Sequence, residues 1–133
     1  MRIASLLGIA VLGLWPCVSQ AQQQPQMSSA TFTLKTTRDL YNVCSVGTND
    51  AMYNMTASFC QGFLMGVVNY DYAVSDRKHL KEFICEPPTA TVEQGVQGFV
   101  TWAAANVNNE KYMNEPPVYG AVRGMAHLWP CPK

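Results

Sequence analysis

Charge is scarce in this sequence. Asp, Glu, Lys and Arg make up 14% of its 133 residues, nine acidic against nine basic. No block of like charge stands out, so neither a nucleic acid nor an anionic membrane has a basic surface to bind. Cys-x-x-Cys is missing, and neither of the two histidines, His79 and His127, lies at ligand spacing from a cysteine. No zinc site, and no other metal or cofactor, is therefore expected. No glycine-rich loop follows a strand-like run, which removes the usual phosphate cradle. The long apolar run at the start, Ile3 to Trp15, is too short to span a bilayer.

That run has another reading. Met1-Arg2 is a short positive start, and Ser19-Gln20-Ala21 is a small-x-small site. Together they describe a secretory signal peptide over residues 1–21, cleaved after Ala21. Cys17 does not suggest a lipoprotein, because Pro16 precedes it. The mature chain, residues 22–133, is expected in the periplasm with a net charge near −1 once Arg2 is removed. Residues 22–36 open with Gln22-Gln23-Gln24-Pro25 and read as a polar, largely disordered leader. Residues 37–133 remain as one domain.

Removing Cys17 leaves Cys44, Cys60, Cys85 and Cys131. Four cysteines in a small exported chain read as two disulfides, with three pairings open.

The apolar pattern is helical throughout. Phe59, Phe63, Val67, Tyr70 and Val74 recur at steps of three and four, with Leu64, Met65 and Val68 on the other sides. This predicts a central helix from Ala51 or Thr56 to Ser75, apolar nearly all round and covered by neighbours. Gly62 and Gly66 would weaken it unless another backbone packs closely there. Thr37 is the expected N-cap of a short helix over 38–44. Phe83-Ile84-Cys85 should re-enter the core. Thr91 and Gln94 form a capping box for a third helix ending near Asn106, with Val92, Val96, Phe99, Val100, Ala103 and Val107 inward. Pro116-Pro117 opens a last helix, with Val118, Ala121, Val122, Met125 and Trp129 inward. The expected fold is all-α: a small four-helix domain around the central helix, stapled by two disulfides. An antiparallel last pair would bring Cys131 back to Cys85, favouring Cys85–Cys131 and leaving Cys44–Cys60.

Nothing in this pattern assembles a nucleophile with its base, so no enzyme is expected. His79 reads as a solvated loop residue, and His127 as a residue at a helix end, a place where the dipole favours a cation. A binding scaffold is the better reading. Residues 108–115 form a polar connector whose Glu110, Lys111, Tyr112, Asn114 and Glu115 are the first expected contact patch. Arg77, Lys78 and His79 make a second.

Cys60-x-Gly62-Phe63-x-x-Gly66-Val67, Cys85-x-Pro87, Thr91-x-x-Gln94 and the terminal Trp129-Pro130-Cys131, preceded by Leu40-Tyr41-x-x-Cys44, resemble the Rap/Tai family of type VI secretion immunity proteins. The resemblance covers residues 40–131. It implies an HdeA-like helical fold and a periplasmic inhibitor that blocks a peptidoglycan amidase effector by plugging its cleft. It also implies homodimers. The segment Ala105 to Tyr112 lacks the histidine and proline found in many members, which bears on which effector is bound. The alternatives are a periplasmic acid-stress chaperone, for which titrating groups are few, and an envelope protein-interaction domain with an unrelated partner.

Overall fold

The computed structural model describes residues 32–132; the expected signal peptide and most of the leader lie outside them. Five helices follow in order: α1 Thr37–Cys44, α2 Tyr53–Lys78, α3 Val92–Ala105, α4 Glu110–Met113 and α5 Pro117–Leu128. No strand occurs among the described residues. The fold is all-α, with the extra helix arising where the sequence suggested an irregular connector.

Capping chemistry sets most helix starts. Thr36, one residue earlier than expected, caps α1: its hydroxyl accepts from the Asp39 N–H, and the Asp39 carboxylate accepts from the Thr36 N–H. Thr91 and Gln94 exchange the same two bonds at α3. The Asn109 side chain accepts from the Tyr112 N–H, which is enough to close the single turn of α4. Pro117 occupies the first turn of α5, where a missing N–H costs nothing.

Thr37 is released from capping and becomes a bolt between elements. It is fully buried, and its N–H donates to the Glu115 carbonyl at 2.8 Å. Its hydroxyl lies 3.2 Å from that carbonyl and 3.3 Å from the Pro116 carbonyl. This fixes the start of α1 on the junction between α4 and α5.

The core is built from Leu40, Cys60, Leu64, Ile84, Phe99, Ala103, Ala121 and Met125. Across it α3 and α5 approach closely, and Gly124 meets the Phe99 backbone there. α2 is the longest helix, yet it is not surrounded. Its buried positions are Thr56, Cys60, Leu64 and Ser75, while Tyr70 is 71% exposed. The inward face is thus turned by about one residue from the expected Phe59-Phe63-Val67-Tyr70-Val74 stripe. The reason is covalent: Cys60 must face Cys44 on α1, and that sets the rotation of the helix. Thr56 tolerates burial because its hydroxyl reaches the Met52 and Tyr53 carbonyls.

The turn also moves Gly62 and Gly66 to the surface, where a Cβ would meet nothing within 4 Å. The close approach expected at these glycines is absent within the chain. It occurs instead at Gly120 and Gly124, and the α5 stripe turns with them: Gly120, Ala121, Gly124 and Met125 are buried, while Val118 is exposed.

Both favoured disulfides are formed. Cys44 pairs with Cys60 at a Cα separation of 5.2 Å, and Cys85 with Cys131 at 4.9 Å. The first ties α1 to α2, and the second ties the segment after α2 to the chain end.

Candidate functional site

The two expected contact patches fare differently. In the first, α4 is held down by its own polar residues. Glu110 pairs with Arg38 of α1 at 2.9 Å and accepts from the Asn114 amide. Glu115 receives two bonds from the Arg123 guanidinium, each 2.9 Å, a bidentate pair. The Tyr112 ring lies 6.0 Å from Trp102 and carries the Arg123 guanidinium 4.6 Å above it. Met113 is fully buried. Glu110, Tyr112 and Glu115 thereby join α1, α3 and α5. Glu110, Lys111 and Asn114 keep exposed side chains.

The charges there are tuned by this clamp. The Arg123 hydrogen bonds hold the Glu115 carboxyl below its ordinary 4.5. The same bonds raise the Arg123 guanidinium. Asp39 is likewise held below 3.8, first by the Lys35 N–H and then, against some desolvation, by Thr36.

The second patch is open. Arg77, Lys78 and His79 are all exposed at the last turn of α2, where cations complement the helix dipole. His79 ends the helix in the left-handed conformation, φ 50°. Its N–H donates to the Asp76 carbonyl, and the Leu80 N–H donates to that of Ser75. This is a Schellman-type stop with histidine where glycine is usual.

The chain that follows is pinned from behind and bare in front. The Asp71 carboxylate accepts from the Phe83 and Ile84 N–H groups, both at 3.1 Å. Ile84 is buried, Cys85 is bridged to Cys131, and the Cys85 N–H donates to the Trp129 carbonyl. Phe83 does not re-enter the core as expected. It is 68% exposed, and Leu80 is 55% exposed. Ile84 takes the inward place, and its neighbour must point the other way. Leu80 and Phe83 thus join Arg77, Lys78 and His79 in one basic segment with two bare apolar side chains. The residue types alone did not reveal them; only the choice between Phe83 and Ile84 does.

Glu82, Cys85 and Cys131 bring ligand-type atoms within 4.8 Å of one another. Both sulfurs are consumed in the disulfide, so the thiolates a soft metal needs are not available. A groove of about 210 Å³ runs between α2, α3 and α5, lined by Leu64, Met65, Ala90, Gly95, Met125 and Trp129. Glu86 is the ionisable residue on its wall, and no nucleophile–base pair is assembled there. No helix among the described residues is long and apolar enough to cross a membrane.

No curated protein and no solved structure gave a significant match to the chain. A family model does match, that of the Rap1a immunity proteins, over residues 36–131. This span begins at the Thr36 cap and ends at the second disulfide, so it takes in all five helices and both bridges. The chain therefore belongs to the Rap1a immunity protein family.

Proposed function

We propose that this protein is an exported immunity protein that binds a peptidoglycan amidase effector in the periplasm and plugs its active-site cleft. Membership of the family supports a role in type VI effector immunity with a cognate effector as partner. The amidase, the periplasm and the signal peptide over residues 1–21 rest on the sequence resemblance and the character of the first 21 residues. The inhibitor carries out no chemistry in this reading. It excludes substrate by occupying the cleft.

The observation that carries the assignment of the contact element is the presentation of Leu80 and Phe83. Bare apolar side chains on a backbone held by Asp71, Ile84 and a disulfide lose little freedom on binding. Arg77, Lys78 and His79 beside them would meet acidic groups at the rim. Glu110, Lys111 and Asn114, the exposed part of the α4 patch, would add a second contact. Two copies would pair in this reading, as in the family it resembles.

The test is direct. Purified protein with both disulfides formed is mixed with the cell-wall amidases encoded beside its gene, and muropeptide release is followed together with complex formation. Binding with loss of release is the expected result. Normal release in the presence of excess protein would remove the amidase assignment.

A further inference from the structure

A second groove, of about 570 Å³, lies where α3 meets the end of α5. Gln94, Gln97, Gly98 and Thr101 recur at steps of three and four, so they form one stripe of α3 along it. Thr89 and Pro87 from the preceding loop, with His127, Leu128 and Trp129, complete the lining. A Cβ on Gly98 would collide with Leu128, so glycine there lets Leu128 lie against α3. No Asp, Glu, Lys or Arg lines this groove, and His127 is its one titratable residue. It offers instead a set of polar groups that the fold uses only in part. Gln94 spends its side-chain oxygen on the Thr91 N–H, and its amide NH2 has no partner among the described residues. Gln97 donates from Nε2 to the Thr101 hydroxyl at 3.1 Å, which leaves its oxygen without one. The Thr89 hydroxyl, the His127 ring and the Trp129 indole N–H have no partner among the described residues either.

We infer that this groove binds an uncharged saccharide bearing acetamido groups. The inference does not rest on the amidase reading. Ligand sites join apolar and aromatic walls to a few polar groups that fix orientation, in volumes of about 300–1,000 Å³. A phosphate or carboxylate ligand would want a fixed cation here, and a cationic ligand a carboxylate, because burying either charge unpaired is unfavourable. An extended peptide would want an open backbone edge, but the α3 stripe is helix whose main-chain groups are already bonded. A sugar ring needs none of these. Its C–H face is apolar and suits Trp129, Leu128 and Pro87. Its hydroxyls both donate and accept, as the Thr89 hydroxyl and a neutral imidazole at His127 do. The two glutamines are more selective. They stand three residues apart on α3, where side chains are neighbours. Gln94 presents a donor and Gln97 an acceptor. That is the complement of one acetamido group, whose carbonyl accepts and whose N–H donates. Cell-wall glycan strands and free N-acetylated sugars share this chemistry.

The test uses purified protein with both disulfides formed and tri-N-acetylchitotriose as the probe. Cellotriose, which has the hydroxyls but no acetamido group, is the comparison. Titration calorimetry should show binding of the first and about tenfold weaker binding of the second, the size of two lost hydrogen bonds. Gln97→Ala should raise the Kd for tri-N-acetylchitotriose about fivefold, the size of one. That variant should melt like wild type, because Gln97 is exposed on a helix surface. Co-sedimentation with purified cell-wall sacculi, reversed by the trisaccharide, would support the inference and identify the glycan strand as the source. Binding of the trisaccharide without co-sedimentation would support it with a free sugar as the source. No binding of tri-N-acetylchitotriose, equal binding of the two trisaccharides, or an affinity untouched by Gln97→Ala would overturn it. Amidase inhibition is measured without any sugar present, so the two readings fail separately.

Discussion

A Cβ placed on Gly124 would lie 2.9 Å from the Phe99 Cα, so α5 and α3 meet there backbone to backbone. A methyl group cannot be accommodated by rotating a side chain, because the obstacle is main chain. Gly124→Ala should therefore destabilise the protein, by about 1–3 kcal/mol. Gly66→Ala should do the opposite and stabilise the isolated chain by up to about 1 kcal/mol, since its surroundings are open. Urea denaturation of the two variants side by side checks both signs.

The same pair of positions shows how far the sequence could be read. Gly62/Gly66 and Gly120/Gly124 have identical spacing. Spacing alone points to close approach at either pair, and the expectation fell on the first. What distinguishes them is the rotation of α2, set by the Cys44–Cys60 bridge, and the position of Thr37 against Gly120. Local signals were legible: Thr91 with Gln94 as a capping box, Pro117 at a helix start, and the helical rhythm itself. Cys85–Cys131 followed from chain direction, and Cys44–Cys60 from what was left. Phe83 against Ile84 was not legible, because adjacent apolar residues on an extended segment cannot both face inward and nothing local says which does. The ion pairs of the α4 patch were not legible, because the partners of Glu110 and Glu115 are arginines far away in the chain or on the next helix, at Arg38 and Arg123.

The disulfides should contribute much of the stability of so small a core. Closing 16 and 46 residues of chain is worth about 3 and about 4 kcal/mol in the loop-entropy account. Reduction under native conditions should lower the melting temperature sharply. An unchanged melting curve with reductant would show that the bridges contribute nothing.

His79 sits at φ 50°, where a side chain costs about 1–2 kcal/mol and glycine costs nothing. His79→Gly should raise stability by about 1 kcal/mol, less whatever glycine regains in unfolded-chain freedom. If His79 also contacts the effector, the same variant should bind it more weakly. Calorimetric melting together with an inhibition titration separates the two effects.

Glu115 and Asp39 both have carboxyls held below their ordinary values of 4.5 and 3.8. The unfolded chain then binds more protons than the folded one as pH falls through that range, so the stabilisation is complete above about pH 5 and is lost on acidification. Melting temperature should fall below pH 5. Glu115→Gln should flatten part of that fall while lowering stability at neutral pH. A slope identical to wild type would mean that the Glu115–Arg123 pair makes no contribution in solution.

The most direct test of the account is amidase inhibition by a Leu80→Asp, Phe83→Asp variant. Both side chains are already in solvent, so the fold should survive, as an unchanged circular dichroism melt would show. The account requires that this variant fail to bind the amidase or to stop muropeptide release, while Lys111→Ala loses much less. A well-folded variant that inhibits as strongly as wild type would contradict it.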